Sequence, residues 1–293
     1  MRTVIVGCGY LGLELGRQLT AAGHDVVGVR RSEEGLAAVE RAGLEPVRAD
    51  ATDGASLEAV PDADWLVYAA SAGRGGDRRR TYVEGLRTVA EAFAARDSPP
   101  VRLVYTASTG VYGDRDGAWV DESTPLSPET DRERALVDAE SAALQGPLPA
   151  TVARLAGIYG PGRYGIDRYL DGPVAEGYRN LVHVEDAAGA IAFLLGRDGD
   201  RDDVVQVVDD EPVRKPDFAA WLARELGAEP PEPRSKAEVG AASGEGPRSR
   251  RRLADKRCSN DRLRGLGYEL TYPTFREGYA DAVAARRSGD AAG

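Results

Sequence analysis

Three glycines near the amino terminus have the spacing of a phosphate-binding turn. Gly7, Gly9 and Gly12 form G-x-G-x-x-G in VIVGCGYLGLELG, directly after an apolar run and at the start of a segment with helical periodicity. In such a turn the first glycine makes the bend, the second lets a diphosphate approach the backbone, and the third lets helix and strand pack closely. Tyr10 and Leu11 would then present their N–H groups to the diphosphate of a dinucleotide.

The end of the second apolar run indicates which dinucleotide is bound. Sites for NAD usually carry Asp or Glu about 20 residues past the glycines, where the carboxylate binds the ribose and repels a 2′-phosphate. This chain has Arg30, Arg31 and Ser32 there, in VVGVRRSEEG. Two guanidinium groups and a hydroxyl suit a phosphate, so the sequence favours NADP over NAD. The alternative is that the arginines only cap a surface turn.

Two further segments are assigned to the cofactor from their order along the chain. Asp50 follows the third apolar run and could bond the adenine amino group. Ala69, Ala70 and Ser71 follow the fourth run and would pass under the cofactor. Small residues there would also allow tight packing, so this assignment rests on topology alone.

Longer motifs extend over nearly the whole chain and resemble the extended short-chain dehydrogenase/reductase family, the branch that contains nucleotide-sugar epimerases and dehydratases. That family binds NAD or NADP on a Rossmann domain and its substrate in a small C-terminal lobe, and its members commonly pair into dimers through two long helices. The resemblance therefore implies a small-molecule substrate and a homodimer. The segments that carry it are LVYTASTGVYG, DESTPLSP, RLAGIYGPG, NLVHVEDAAGAI and SNDRLRGLGYELTYPTFREGY.

Within this resemblance the usual proton-transfer pair is missing. Ser108 in TASTGVYG matches the family's catalytic serine, but Arg132 and Leu136 stand where the family has a tyrosine and a lysine, counted back from Glu140. No shift of the alignment restores the pair, because the first lysine of the chain is Lys215. The chain thus resembles the atypical branch of the family, whose members keep the cofactor fold and often lack the usual catalytic residues.

Arg132 and Tyr159 are the remaining catalytic candidates beside Ser108. An arginine stays protonated, so Arg132 cannot shuttle a proton, but it could stabilise a developing oxyanion or bind a substrate carboxylate or phosphate. Tyr159, in GIYGPGRYG, lies on a loop that the family folds over its substrate, although a glycine-flanked tyrosine more often packs. Glu133 could act as a displaced base, but carboxylates at a helix start are usually caps.

The elements that must position these residues alternate between strand and helix. Short β-rich apolar runs at residues 3–6, 25–29, 45–48, 65–69, 101–106 and 151–155 are separated by segments with helical spacing. This alternation predicts an α/β fold, a Rossmann-type doubly wound parallel sheet with a smaller C-terminal substrate lobe. We expect residues 1–155, completed by about 183–209, to form the NAD(P)-binding domain. Residues 156–182 and 210–293 should form the lobe, with a long loop from Glu229 to Arg257.

Composition limits the remaining classes of function. The formal net charge of −10 opposes nucleic-acid binding, although basic residues gather between Arg248 and Arg257, either as a solvated loop or as a clamp for an anionic ligand. No apolar run approaches the roughly 20 residues needed to cross a bilayer, so we expect a cytoplasmic protein without membrane association. Cys8 and Cys258 should be reduced, and the two histidines lack neighbours at metal-ligand spacing, so no metal is expected.

Two functions are compatible with these observations. The first is an NAD(P)-dependent, epimerase/dehydratase-like oxidoreductase acting on a small anionic substrate, such as a nucleotide-linked or phosphorylated sugar, with non-standard acid/base residues. The alternative is a non-catalytic NADP-binding protein that senses the cofactor and passes its state to a partner. Either function is compatible with a sequence that has the cofactor-binding turn but lacks the catalytic pair.

Overall fold

A computed structural model describes residues 1–73, 75–197, 203–243 and 254–289. The chain divides into two compact units. Unit 1 comprises Met1–Val111, Pro128–Leu155 and Ala187–Val205, and unit 2 comprises Tyr112–Ser127, Ala156–Asp186 and Gln206–Gly293. The chain passes between the units several times, so each unit is assembled from segments that are distant in sequence.

Strands and helices alternate along unit 1 and become shorter in unit 2. The described strands are β1 (Arg2–Val6), β2 (Asp25–Arg30), β3 (Glu45–Arg48), β4 (Trp65–Tyr68), β5 (Arg102–Ser108), β6 (Trp119–Val120), β7 (Ala150–Leu155), β8 (Gly157–Tyr159), β9 (Val174–Ala175), β10 (Tyr178–Arg179), β11 (Leu181–His183), β12 (Asp203–Val207), β13 (Val213–Arg214), β14 (Pro233–Arg234) and β15 (Arg257–Cys258). The described helices are α1 (Tyr10–Ala21), α2 (Glu33–Arg41), α3 (Gly85–Ala94), α4 (Asp131–Leu144), α5 (Asp167–Leu170), α6 (Val184–Gly196), α7 (Lys215–Leu226), α8 (Lys236–Ser243), α9 (Asp261–Gly265) and α10 (Phe275–Ser288).

A seven-stranded sheet in the order β12-β7-β5-β4-β1-β2-β3 carries the glycine turn. The pairings from β7 across to β3 are parallel, with Val4 opposite both Val27 and Leu66. The strand order reverses between β1 and β4, which is the position where open α/β sheets bind their ligands. The predicted Rossmann-type α/β fold is therefore confirmed.

The core of unit 1 buries the apolar runs that predicted its strands. Val4, Val27 and Leu66 are inaccessible to solvent, as are Leu86 and Phe93 of helix α3. Strands covered on both faces appear as continuous apolar runs, and the helical spacing of α3 aligns its apolar residues on one face. Each such side chain contributes about 1.5–3 kcal/mol relative to leaving it exposed.

Unit 2 is organised around an aromatic core. Tyr159 stacks on Tyr279 with ring centroids 4.7 Å apart, and Phe218 meets Phe275 and Tyr279 edge-on at 5.1 and 5.3 Å. Offset stacks and edge contacts are the arrangements that aromatic pairs favour. This core compensates for strands that are only two or three residues long in much of the unit.

Two expectations about unit 2 differ from the structure. Tyr112–Ser127 lies in unit 2 and not with the amino-terminal sheet, because β6 pairs with β15. The segment from Glu229 to Arg257 is not one long loop, since β14 and α8 lie within it. Pairings between residues far apart in sequence cause both differences, and local composition does not reveal such pairings.

A buried ion pair fixes α4 to β7. Arg154 donates from Nε to Oε1 of Glu140 at 2.9 Å and from Nη2 to Oε2 at 2.7 Å, and both side chains are 5% exposed. Burial raises the pKa of the Glu140 carboxyl, and the hydrogen bonds and charge of Arg154 oppose this rise. The two-point contact sets both the position and the rotation of the helix.

Replacing Arg154 by leucine should lower the free energy of unfolding by about 3–5 kcal/mol, because Glu140 is left buried without its partner. Adding Glu140→Leu should recover much of this loss, since both charges are then removed. Arg134→Ala removes an exposed pair with Asp131 and should cost less than about 1 kcal/mol. Urea unfolding measures all three variants, and a double variant as unstable as the single one would contradict the assignment.

Candidate cofactor and active site

The glycine turn between β1 and α1 is packed against the end of β4. Gly7 has a φ of +86°, a conformation that favours glycine. A methyl group at Gly7 would lie 2.3 Å from the Cα of Ala70 and 2.7 Å from the carbonyl carbon of Ala69. Only glycine lets the two backbones approach this closely, in agreement with the turn-forming role predicted for it.

The start of α1 directs its backbone toward the same edge of the sheet. The helix begins with Tyr10 and Leu11 directly after Gly9, and its first turn is uncharged. A methyl group at Gly12 would lie 3.0 Å from Cγ2 of Ile5, so the glycine lets α1 pack closely on β1. The N–H groups and the positive end of the helix dipole make such a helix start attractive to an anion.

Arg30, at the end of β2, lies beside the glycine turn. A methyl group at Gly9 would lie 2.9 Å from its Nη1, and one at Gly35 would lie 2.5 Å from its Nε. The guanidinium therefore covers a glycine at the start of α1 and another at the start of α2. Ser32 caps α2, since its Oγ accepts a hydrogen bond from the amide of Gly35 at 3.2 Å. Its own O–H remains able to donate.

Arg31 and Asp50 form an ion pair next to this edge, with Nη1 and Oδ2 3.4 Å apart. Oδ1 of Asp50 also accepts hydrogen bonds from the amide and the hydroxyl of Thr52, each at 2.9 Å. Burial would raise the pKa of Asp50, but these hydrogen bonds and Arg31 outweigh it and lower the pKa. An ionised Asp50 can accept a hydrogen bond from an adenine amino group, and that role stays a prediction.

Arg48 is a third arginine at this edge, and the sequence reasoning missed it. It ends β3 opposite Arg30, donates from Nη1 to the carbonyl oxygen of Arg31 at 2.9 Å, and pairs through Nη2 with Glu33. Glu33 opens α2, where its carboxylate would repel a phosphate if Arg48 did not offset the charge. In the sequence, Arg48 is visible only as an arginine at the end of the third apolar run. Its place beside Arg30 becomes apparent only from the pairing of β3 with β2.

Small residues follow β4 at the same edge. The amide of Ala69 donates to the carbonyl oxygen of Val6 at 2.8 Å, Ala70 is half-buried, and Ser71 is exposed. The carboxyl ends of neighbouring parallel strands meet at one edge of a sheet. The structure therefore brings the predicted cofactor residues together, and binding at this edge stays a prediction.

The thiol within the glycine turn is a packing group. Cys8 is 1% exposed, and burial raises its pKa to about 12, with Arg30 and Arg17 acting in the opposite direction. A neutral, enclosed thiol is inert at ordinary pH. Cys258 is also unbridged, as expected from the sequence.

Ser108 and Arg132 meet beside Gly110. Ser108 ends β5, and its Oγ accepts a hydrogen bond from the amide of Gly110 at 3.1 Å. A methyl group at Gly110 would lie 3.1 Å from each terminal nitrogen of Arg132 and 3.2 Å from Oγ of Ser108. The hydroxyl and the guanidinium therefore border the same small space. One strand, β4, separates β5 from β1, so this space and the glycine turn lie at the same edge of the sheet.

Helix α4 carries Arg132 and Leu136, which stand at the two positions where the resemblance implies a tyrosine and a lysine. Arg132 is half-buried and Leu136, one turn further, is 5% exposed. Glu133 accepts a hydrogen bond at Oε2 from the amide of Thr130 at 3.2 Å, while Oγ1 of Thr130 accepts one from the amide of Glu133 at 3.2 Å. Glu133 therefore forms a capping box with Thr130, and its carboxylate is used to cap the start of α4.

Tyr159 lies in the aromatic core of unit 2, whereas Ser108 and Arg132 belong to unit 1. It is 2% exposed, and its Oη occupies the space where a methyl group on Gly278 would stand. Among the described residues this hydroxyl has no hydrogen-bond partner, and burial raises its pKa. Packing accounts for its position, and a role as hydroxyl donor stays a prediction.

The basic segment from Arg248 to Arg257 lies mostly outside the described residues. At its end, Lys256 donates from Nζ to the carbonyl oxygen of Gly113 at 3.0 Å, and Arg257 donates from Nε to that of Gly117 at 2.7 Å. Over the described ranges, no group of three or more His, Cys, Asp or Glu side chains could hold a metal ion. In that same part of the chain, none of the helices has the length and apolar character to span a membrane.

Comparisons with known proteins agree with this architecture. The sequence profile of the NAD dependent epimerase/dehydratase family matches residues 3–207. Protein YeeZ from Escherichia coli (strain K12) is 34% identical over 283 residues, which cover 93% of this chain and 96% of that protein. The structure of a functionally unknown conserved protein from Silicibacter pomeroyi DSS is 32% identical, with a TM-score of 0.80 and coverage of 97% and 99%. Human epimerase family protein SDR39U1, solved with NADPH, is 20% identical with a TM-score of 0.80 and coverage of 97% and 99%, and shares the fold.

Gly7→Ala should destabilise the protein much more than Gly43→Ala, although both glycines have positive φ, at +86° and +76°. Gly43 has nothing within 4 Å of an added methyl group, so its substitution costs only the backbone strain of about 1–2 kcal/mol. Gly7→Ala adds a clash with the backbone of Ala70, which should cost about 1–3 kcal/mol more. Equal midpoints of urea unfolding for the two variants would show that the close approach is unimportant.

Proposed function

Because the chain belongs to the NAD dependent epimerase/dehydratase family, we propose that it is an NADP-dependent oxidoreductase or epimerase acting on a small anionic substrate. The substrate class we propose is a nucleotide-linked or phosphorylated sugar, or a small carbonyl compound with a carboxylate. The reacting carbon carries a carbonyl or hydroxyl oxygen that lies between Ser108 and Arg132.

The convergence of Ser108 and Arg132 beside Gly110 is the observation that carries this proposal. When hydride adds to a carbonyl carbon, negative charge develops on the oxygen. A hydroxyl and a guanidinium that both donate hydrogen bonds to that oxygen stabilise the charge without transferring a proton to it. Arg132 therefore replaces the function of a proton donor by electrostatic stabilisation, and the alkoxide takes its proton from water or another donor afterwards.

The residues of unit 1 fit NADP. Gly7 lets the turn pack against Ala70, the helix that follows Gly9 offers its first N–H groups to a diphosphate, and Arg30 lies where the 2′-phosphate is expected. When bound, NADPH supplies the hydride and NADP accepts it. Arg31 and Arg48 add positive charge nearby, which supports the choice of NADP over NAD.

A non-catalytic sensor of NADP is the second candidate, and one observation favours it. Leu136 occupies the former lysine position and is buried, so no ionisable group can lower the pKa of a neighbour from there. A protein that only binds the cofactor needs the turn and the arginines but no proton donor. Turnover distinguishes this candidate from the first.

Arg30→Ala should weaken NADPH binding about 10- to 100-fold, because a charge-assisted contact to the 2′-phosphate is lost. NADH affinity should change by no more than about twofold, since NADH lacks that phosphate. Arg41→Ala, an exposed arginine later in α2, is the matched control and should leave both affinities unchanged. Calorimetric titration measures these affinities, and equal binding of NADPH and NADH by the unmodified protein would contradict the cofactor assignment.

Ser108→Ala and Arg132→Leu should each lower the rate of NADPH oxidation about 10²- to 10³-fold, because each removes one donor to the developing oxyanion. NADPH affinity should stay within about twofold of the unmodified protein. Arg134→Ala, two residues further on the same helix, should keep full activity. Rates are measured with a panel of nucleotide sugars, phosphorylated sugars and small carbonyl acids. Tight NADPH binding without turnover of any compound would favour the sensor.

A further inference from the structure

Two of the three arginines at the proposed cofactor-binding edge of unit 1 are paired with acids. Arg31 pairs with Asp50 at 3.4 Å, and Arg48 pairs through Nη2 with Glu33. Arg30 forms no salt bridge with any residue that the structure describes, and its guanidinium lies against the glycine turn. Arg30 therefore offers its whole charge to a phosphate, whereas the charges of Arg31 and Arg48 are partly offset within the protein.

Glu33 is an acid close to the position at which NAD sites carry one. It follows Arg30 by three residues and opens helix α2, where its side chain is 86% exposed. The carboxylate at the end of the second strand of an NAD site accepts hydrogen bonds from the ribose hydroxyls and repels a 2′-phosphate. An uncovered Glu33 carboxylate would act in the same two ways. The chain therefore carries, beside the arginine that favours NADP, an acid that favours NAD.

Arg48 covers this carboxylate from the neighbouring strand. It ends β3 at the position paired with Arg30 of β2, so the register of the sheet brings it to the turn between β2 and α2. Its Nη1 donates to the carbonyl oxygen of Arg31 at 2.9 Å, and its Nη2 donates to Oε1 of Glu33. Two nitrogens of one planar guanidinium are engaged, which restricts the orientation of the group. The charge of Glu33 is therefore offset by a side chain that the backbone of the same turn holds in place.

The start of α2 does not depend on Arg48. Oγ of Ser32 accepts a hydrogen bond from the amide of Gly35 at 3.2 Å, and the amide of Leu36 donates to the carbonyl oxygen of Ser32 at 3.0 Å. This cap begins the helix, and the helix dipole stabilises an acid in the first turn. Removing Arg48 should therefore uncover the Glu33 carboxylate and leave α2 formed.

We propose that Arg48 is a positioning residue that sets the preference for NADP over NAD by masking the carboxylate of Glu33. With the mask in place, a 2′-phosphate at Arg30 does not meet the uncovered charge of Glu33. Without it, Glu33 repels the phosphate and can accept a hydrogen bond from the ribose 2′-hydroxyl of NAD. The inference rests on the proposed function, in which Arg30 binds the 2′-phosphate, and it assigns Arg48 no contact with the cofactor.

Arg48→Ala should weaken NADPH binding about 3- to 10-fold, because the freed carboxylate repels the 2′-phosphate in a partly screened surface environment. NADH affinity should stay the same or rise, since NADH lacks that phosphate and its ribose hydroxyl can donate to Glu33. Arg48→Lys keeps the charge and should keep NADPH affinity within about threefold of the unmodified protein. Calorimetric titration of both cofactors on the full chain measures these affinities, and urea unfolding checks that each variant is folded.

Combining Arg48→Ala with Glu33→Gln separates masking from the other roles that Arg48 could have. The double variant should recover NADPH affinity to within about twofold of the unmodified protein, because the charge that Arg48 covers is removed with it. A double variant that binds NADPH as weakly as Arg48→Ala would overturn the proposal, since Arg48 would then contact the phosphate itself. Equal loss of NADPH and NADH affinity in Arg48→Ala, or no change in either, would overturn it as well.

Arg96→Ala provides the comparison variant, because Arg96 also pairs with one acid, Asp62, and donates to backbone carbonyl oxygens, but near the start of β4. It should leave both affinities unchanged. If the unmodified protein prefers NADPH and Arg30→Ala removes that preference while Arg48→Ala changes nothing, only the role of Arg48 fails. If the unmodified protein binds NADPH and NADH equally, the proposed cofactor and the masking role both fail.

Discussion

The close approach of two backbones, at Gly7 and at Ala69–Ala70, is the constraint on which the proposed cofactor-binding edge of the sheet depends. β1 and β4 are adjacent and parallel, and the strand order reverses between them. With no Cβ at Gly7, the chain can turn from β1 into α1 while touching the end of β4. Arg30 and Ser108 end strands on either side of this contact, so their positions at one edge follow from the same sheet that the contact completes.

The buried pair of Glu140 and Arg154 supplies the second constraint, because it fixes α4 to β7 from within unit 1. Arg132 lies two turns before Glu140 on the same helix, so the buried ion pair also helps to position its guanidinium beside Ser108. An arginine at this position can stabilise negative charge on an oxygen, which Leu136 one turn away cannot do.

Structural features that depend on neighbouring residues in the sequence were predictable. Features that depend on contacts between residues far apart in the sequence were not. The glycine spacing and the apolar runs predicted the sheet and the turn, since each depends on residues within one strand and one helix. Arg48 was missed because its hydrogen-bond partner Arg31 follows a different strand, β2. The pairing of β6 with β15 joins residues well over a hundred positions apart, so neither segment indicates it alone.

The net charge of the chain does not show that positive charge is concentrated at one edge of the sheet of unit 1. A formal charge of −10 describes an acidic protein that should repel phosphates everywhere. Yet Arg30, Arg31 and Arg48 gather at one sheet edge of unit 1, and charges more than about 10 Å away are largely screened at physiological salt. The three guanidinium groups therefore give this edge of unit 1 a local positive charge that suits a phosphate, although the chain as a whole is acidic.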